Sequence, residues 1–346
     1  MTDRPRIIAV VGPTAVGKSG LALRLAESLG GEIISVDSAQ VYRGFDIGTA
    51  KATAAERARV PHHGIDIRDP AASGAQYTAA DFAADADGWI ADILARGCAP
   101  ILAGGTGLYL RSLVLGLSDA PPADEAVRAR IDAAWVADRA ATWDRLRSVD
   151  PGTASFVHAN DRVRVVRALE VYEITGSSMT RWREDHGLAE EHFDAAVVAL
   201  TAPRAELYAR IDARTRQMLD AGLVDEVQAL LDVGVPRTAP PMTAIGYRQV
   251  LDALDAEWPR AELERVLARD TRHYAKRQLT WFRKHPGTRW FDARAVRQDG
   301  YAALVDALRR FLDGAPFDAG HADERAVSEP ENVPANVPGG STNAQR

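Results

Sequence analysis

The chain is predicted to fold as an α/β protein, with a parallel sheet covered by helices on both faces and an inserted helical subdomain. Three observations carry this. Short apolar runs recur at Ile7–Val11, Ile33–Val36, Pro100–Ala103 and Val197–Leu200. Strands this short and this apolar belong to sheets buried on both faces. Each run is followed by turn residues and then by helical spacing, the alternation of an α/β fold. Between the third and fourth runs lie roughly ninety residues of helical pattern, where a crossover needs a single helix, so they read as an insertion.

In order, Ile7–Val11 runs into a glycine-rich loop, and Leu21, Leu25 and Leu29 mark a helix that Gly30 and Gly31 stop. The second run ends in Asp37-Ser38 and the third in Gly104-Gly105-Thr106. Parallel sheets bind ligands at the carboxyl ends of their strands, so these three ends are where chemistry is expected. In the insertion, Val127, Ile131 and Trp135 share a helix face, and Asn160-Asp161 caps a helix over Val163–Ile174. Pro203 opens a helix running through Met218, and the pattern stays helical to Trp281. From Ala315 the chain is rich in Pro, Gly and Asn and poor in aromatics, which predicts disorder. The expected division is 1–120 and 196–314 for the two parts of the core, 121–195 for the insertion and 315–346 for an acidic tail.

The 346 residues, 46% apolar, suffice for one large or two moderate domains. The net charge of −6 is unevenly spread: residues from Asp313 onward carry −4, leaving −2 on the rest, so local basic patches matter more than the total. A single cysteine, Cys98, rules out an intrachain disulfide and a cysteine-rich zinc site, and its apolar neighbours predict a buried thiol. The apolar run near the start is too short for a signal peptide or a membrane span. A soluble, cytoplasmic, monomeric protein is expected.

Gly12-Pro13-Thr14-Ala15-Val16-Gly17-Lys18-Ser19 has the spacing of a phosphate loop between a strand and a helix. The glycines let the backbone wrap around phosphate oxygens at the positive end of the helix. Lys18 adds charge, Ser19 can hold Mg²⁺, and the Thr14 hydroxyl can reach into the cradle. The fold class is therefore P-loop NTPase-like, although the loop does not say what carries the phosphate. Asp37 lies across a short gap and can accept a proton from a nucleophile, or else serve as a helix cap or an indirect Mg²⁺ partner. No strand-end acid of the ATPase kind and no Asn-Lys-x-Asp GTPase signature is present, leaving Asp37 opposite Thr106.

Two basic constellations follow. Arg164 and Arg167 share a helix face, as do Arg210 and Arg214. The stretch from Thr271 to His285 has five Lys or Arg and no acid, with Tyr274, Trp281 and Phe282 interleaved. Arg272, Lys276 and Arg283 fall on one side of a helix there. Such a stretch as a whole tracks a nucleic-acid backbone, its aromatics stacking on bases or filling the core, whereas any single arginine fits a solvated face better. His62-His63 does not have metal-binding spacing.

Taken together, GPTAVGKS, DSAQVYRGFDIGTAK, HHGIDIRDP, GGTGLYLR, ANDRVRVVRALEVY, ARIDARTRQMLDAGLVDEV, AIGYRQ and AKRQLTWFRK resemble the bacterial tRNA dimethylallyltransferases, in the same order, from about residue 6 to 292. The resemblance implies transfer of a dimethylallyl group from dimethylallyl diphosphate to N6 of the adenosine 3′ of the anticodon, in tRNAs reading codons that begin with U. It implies that Gly12 to Ser19 hold the diphosphate, with Mg²⁺ at Ser19. Asp37 would be the general base, and Thr14 and Arg214, with Arg210, would clamp the leaving group. Asp37, Ser38, Ala39 and Gln40 would meet tRNA, together with Thr106, Arg128, Arg164 and Arg167. Gly246, Tyr247 and Arg248 would join them, as would Lys276, Arg277, Gln278, Trp281 and Arg283. Where the family has Gln-Arg, this chain has Val163-Arg164, so the glutamine's hydrogen bond is missing. A small-molecule kinase would use the same loop and acid but would need neither AKRQLTWFRK nor the arginine-bearing insertion. A nucleotide-dependent switch would need the absent GTPase motifs.

Overall fold

The computed structural model describes residues 4–72, 76–117, 120–186, 192–285 and 287–318. Six strands, β1 (Arg6–Val11), β2 (Gly31–Val36), β3 (His62–His63), β4 (Ala99–Gly104), β5 (Asp194–Thr201) and β6 (Thr288–Asp292), form one sheet in the order β3-β2-β4-β1-β5-β6. All five pairings are parallel. Along β1, Ile7, Ala9 and Val11 enter one apolar core while Ile8 and Val10 enter the other. That double burial is why the strand reads as an unbroken apolar run.

The first core lies under α3 (Ala79–Ala95) and α4 (Gly107–Leu115), and under two later helices, α11 (Leu223–Asp232) and α12 (Tyr247–Asp255). The second holds α1 (Lys18–Leu29), α10 (Arg204–Asp220) and α15 (Tyr301–Leu312). Helix α13 (Arg260–Phe282) packs along α10 and reaches back over the strand ends; the short α14 (Ala293–Ala295) buries Ala293, whereas the short α2 (Ala54–Arg59) buries no residue. The insertion comprises α5 (Glu125–Ala137), α6 (Arg139–Val149), α7 (Pro151–Ala154), α8 (Arg162–Thr175) and α9 (Met179–His186). It closes on its own cluster, which includes Ile131, Trp135, Leu146, Val165 and Leu169.

Three expectations are corrected. β6 was not anticipated, because it is an edge strand of half-exposed residues with no apolar run; the two-residue β3 was missed for its length. Cys98 is only partly buried, since it precedes β4 in the turn rather than lying inside the strand. The tail does not leave the body at Ala315: Arg6 donates to the carbonyls of Gly314 at 2.9 Å and Ala315 at 3.2 Å, and Phe317 meets the Phe311 ring edge at 6.0 Å. The expectation for 319–346 lies outside the described residues.

Candidate active site

The strand order puts β2, β4 and β1 side by side, so Asp37, Gly104 to Thr106 and Gly12 line one edge of the sheet. The loop after β1 turns through positive φ at Gly12 (133°), Ala15 (63°) and Gly17 (108°). A Cβ on Gly12 would stand 2.5 Å from the Leu200 carbonyl oxygen, so only glycine lets β1 pass β5 here. Pro13 and Val16 are buried beneath the loop, and α1 begins at Lys18 with its first amides turned toward the cradle. Gln278 ties this loop to its neighbour: its Oε1 accepts the Thr14 N–H at 2.8 Å and its Nε2 donates to the Gly105 carbonyl at 3.1 Å. Arg210 donates to the Val16 carbonyl at 3.1 Å and pairs with Glu206.

Opposite the loop, Asp37 Oδ1 accepts the backbone N–H groups of Ala39 (2.9 Å) and Gln40 (3.3 Å). Its Oδ2 has no hydrogen-bond partner among the described residues. The Ser38 N–H donates to Thr106 Oγ1 at 3.3 Å, so the two loops meet beside Asp37. Burial pushes Lys18 down to about 7; the positive charge of Arg214 adds to this and Asp37 opposes it. Burial also lowers the Arg214 guanidinium, again against the pull of Asp37. Two desolvated cations thus share the site with a single carboxylate, Asp37.

The lowered Lys18 predicts proton-linked binding. An anion in the cradle restores the ammonium, so binding takes up a proton once pH exceeds the free-protein value. Affinity for a fully ionised diphosphate ester, without divalent metal, should fall by up to about tenfold per pH unit above pH 8, and Lys18→Met should flatten the profile. Calorimetric titration at three pH values measures this; a flat wild-type profile contradicts it.

Two cavities open beside this arrangement. One, of about 600 Å³, is walled by Ala15, Ile47, Arg210, Arg214 and Met218. The other, of about 340 Å³, is walled by Thr14, Asp37, Thr215, Met218, Arg214 and Tyr274. They share Arg214 and Met218, and one flank of the loop faces each. The Ser19 hydroxyl is exposed at the start of α1 and has no hydrogen-bond partner among the described residues, where no cluster of three His, Cys, Asp or Glu side chains occurs. That donor set fits Mg²⁺, which keeps most of its waters and takes one or two protein oxygens beside those of a phosphate.

The other expected tRNA contacts divide. Ser38, Arg248, Lys276, Arg277 and Arg283 are exposed, as is Arg164, which pairs with Asp161 at 3.4 Å. Thr106 and Gly246 lie at helix starts; Gly246 lines the 340 Å³ cavity, and Thr106 is bonded to Ser38, which lines it too. Ala39 is buried, Gln40 is occupied with Ser35 and the Thr49 carbonyl, and Gln278 is buried between the two loops. Tyr247 is wholly buried, its hydroxyl donated to Glu226 at 2.6 Å, because the face of α12 that carries it turns into the core. Arg128 and Arg167 are both engaged with the fully buried Glu170, at 2.9 and 2.8 Å, and Arg272 with Asp212. Within the aromatic set, Phe282 fills the core, Trp281 packs on Gly107, and Tyr274 lines the cavity.

Glu226 escaped the sequence reading. Its carboxylate accepts the N–H groups of Asp46 (3.1 Å), Ile47 (2.7 Å) and Gly48 (3.3 Å) as well as the Tyr247 hydroxyl, fixing the loop that walls both cavities. The only local signal is an acid in the first turn of α11, which reads as an ordinary dipole partner. Glu226→Ala strands four donors, and the expected loss is about 2–4 kcal/mol, lowering the thermal midpoint by roughly 5–10 °C in calorimetry. A midpoint unchanged within about 1 °C would show the loop to be held otherwise.

A parallel sheet with a phosphate loop, a carboxylate across from it and partly buried cations defines a P-loop-type group-transfer enzyme. A family model described as "IPP transferase" matches residues 40–285, and one described as "Isopentenyl transferase" matches residues 5–66. The tRNA dimethylallyltransferase 1 of Trichlorobacter lovleyi is 49% identical over 288 residues, covering 83% of this chain and 93% of the relative. The tRNA dimethylallyltransferase of Geobacter sulfurreducens is 45% identical over 291 residues, 84% of this chain and 93% of its own. Among solved structures, the tRNA isopentenylpyrophosphate transferase of Bacillus halodurans superimposes with a TM-score of 0.65 at 40% identity, covering 90% of this chain and 96% of that one. A eukaryotic dimethylallyltransferase acting on tRNA gives 0.77 at 27% identity, covering 91% and 81%. The chain belongs to the tRNA dimethylallyltransferase (IPP transferase) family.

Proposed function

We propose that the protein transfers a dimethylallyl group from dimethylallyl diphosphate to N6 of the adenosine 3′ of the anticodon in tRNAs reading codons that begin with U, releasing diphosphate. The observation that carries the chemistry is the free Oδ2 of Asp37, set across from a cationic phosphate loop beside two cavities that share Arg214. The allyl diphosphate occupies the 600 Å³ side, its phosphates on Gly12 to Ser19. The acceptor adenine, turned out of its stack, enters the 340 Å³ side.

The bond from the allyl carbon to the diphosphate oxygen breaks as the adenine nitrogen closes on that carbon. Positive charge develops on the allyl group and negative charge on the departing oxygens. The loop amides, Thr14, Lys18 and Arg214 meet the negative charge, the main electrostatic demand of the reaction. Asp37 orients the amine and takes its proton. Mg²⁺, held by Ser19 when bound, further neutralises the diphosphate. The exposed basic residues of α13 and Arg164 hold the tRNA backbone. The protein acts as a monomer in the cytoplasm, and no helix among the described residues is long and apolar enough to cross a membrane.

The decisive experiment supplies labelled dimethylallyl diphosphate or labelled ATP to purified protein with unmodified tRNA and Mg²⁺. Prenyl label on tRNA is expected. Phosphate moving from ATP to a small acceptor, with no prenyl transfer, would replace this reading with that of a kinase.

A further inference from the structure

In the insertion, Phe156 follows α7 and is 59% exposed, while its neighbour Val157 is buried in the cluster of the insertion. The guanidinium of Arg183, from α9, lies over its ring with Cζ 4.9 Å from the centroid. Arg183 Nη1 also donates to Thr153 Oγ1 at 3.3 Å, which holds the guanidinium plane in place. Arg183 has no ion pair among the described residues. Its guanidinium is lowered first by burial, with Asp150 pulling it up and Arg111 and Arg164 pushing it down. Arg111 on α4 and Arg164 on α8 thus lie near enough to Arg183 on α9 to act on its charge, beside one exposed aromatic ring.

The opposing charge is small. Arg111 has no ion pair among the described residues, and Arg164 has only the 3.4 Å contact to Asp161. Asp150 is completely buried, and its oxygens accept from the Thr153 and Thr180 backbone N–H groups and the Thr180 hydroxyl. Gathering like charges costs energy that only an anionic partner repays. An aromatic face backed by a guanidinium and flanked by further cations is the chemistry that receives an unpaired base and its phosphates. A duplex would offer phosphates but no free base face.

The patch also lies where such a strand would pass. Thr106 opens α4 beside Ser38 at the cavity mouth, and Arg111 follows it about 7.5 Å further along the same helix. We propose that Phe156 and Arg183 form a stacking platform for an unpaired base of the anticodon loop of the substrate tRNA, with Arg111 and Arg164 on the flanking phosphates. This deepens, and rests on, the reading of tRNA as the acceptor.

The test uses the full-length protein and unmodified tRNA. Phe156→Ala should raise KM for tRNA about 5- to 100-fold while kcat and the KM for dimethylallyl diphosphate stay within about twofold, and Phe156→Trp should restore the wild-type KM. Arg183→Gln should reduce the salt slope of tRNA binding by about one. A photoreactive benzoylphenylalanine at position 156 should cross-link to the anticodon loop, which serves if the alanine variant folds poorly. An unchanged tRNA KM in Phe156→Ala, or a cross-link to protein and none to tRNA, overturns the platform. If wild-type protein transfers no prenyl group, the activity reading fails by itself. The ratio of wild-type to Phe156→Ala affinity for tRNA, measured by anisotropy without donor, then still decides the platform.

Discussion

Asp37→Ala should lower kcat by about 10²- to 10⁴-fold while tRNA still binds. The range is that of a positioned general base. The two oxygens of this carboxylate do different work, which makes the comparison with Asp37→Asn informative. Oδ1 pins the turn through the N–H groups of Ala39 and Gln40, and an asparagine oxygen can accept the same two bonds. Oδ2 would become an NH₂ group unable to take a proton. Asp37→Asn should therefore keep the tRNA KM near wild type and lose kcat as severely as Asp37→Ala. Single-turnover transfer of labelled prenyl group measures both variants. An Asp37→Asn enzyme with kcat within about threefold of wild type would reduce Asp37 to a cap of its turn.

Arg214→Met should lower kcat by about 10²- to 10³-fold without lowering the thermal midpoint. Arg214 walls both cavities, and among the described residues it has no ion pair. Its lowered pKa, caused first by burial, shows a charged group held against its own desolvation. Such a cation is a cost to the folded state and a gain only when a diphosphate forms beside it. Methionine has a similar length and no charge, so relieving the desolvation should leave stability equal or higher. A structural arginine would behave in the opposite way. Loss of midpoint with retained turnover would assign Arg214 to the scaffold.

How much of this could be read from the chain depends on how local each signal is. The phosphate loop, Asp37 and Thr106 all sit at the ends of short apolar strands, so spacing alone placed them. Their adjacency needed only the rule that parallel sheets bind at their carboxyl ends. Tyr247 and Gln278 lie in motifs that the family resemblance assigns to tRNA, but a motif does not say which helix face turns inward. Glu226 bonds to residues about 180 positions earlier, and nothing in its own neighbourhood announces that. The salt bridges of Arg128 and Arg167 were hidden for the same reason: Glu170 is a buried acid, and nothing in the sequence around it announces that burial. β6 escaped because an edge strand has one side to bury and so carries no apolar run.

The bond between Thr14 and Gln278 spans 264 residues, and the wall against Gly12 is built by Leu200. On a translating ribosome the phosphate loop is thus among the first segments to emerge and among the last to be finished. At ordinary elongation rates the interval is roughly 15–50 s. During that time the nascent chain has the GKS motif without the clamp that holds its geometry. A product truncated before Gln278 lacks that clamp altogether, so premature termination or a stalled chain yields an inert fragment rather than an unregulated phosphate binder.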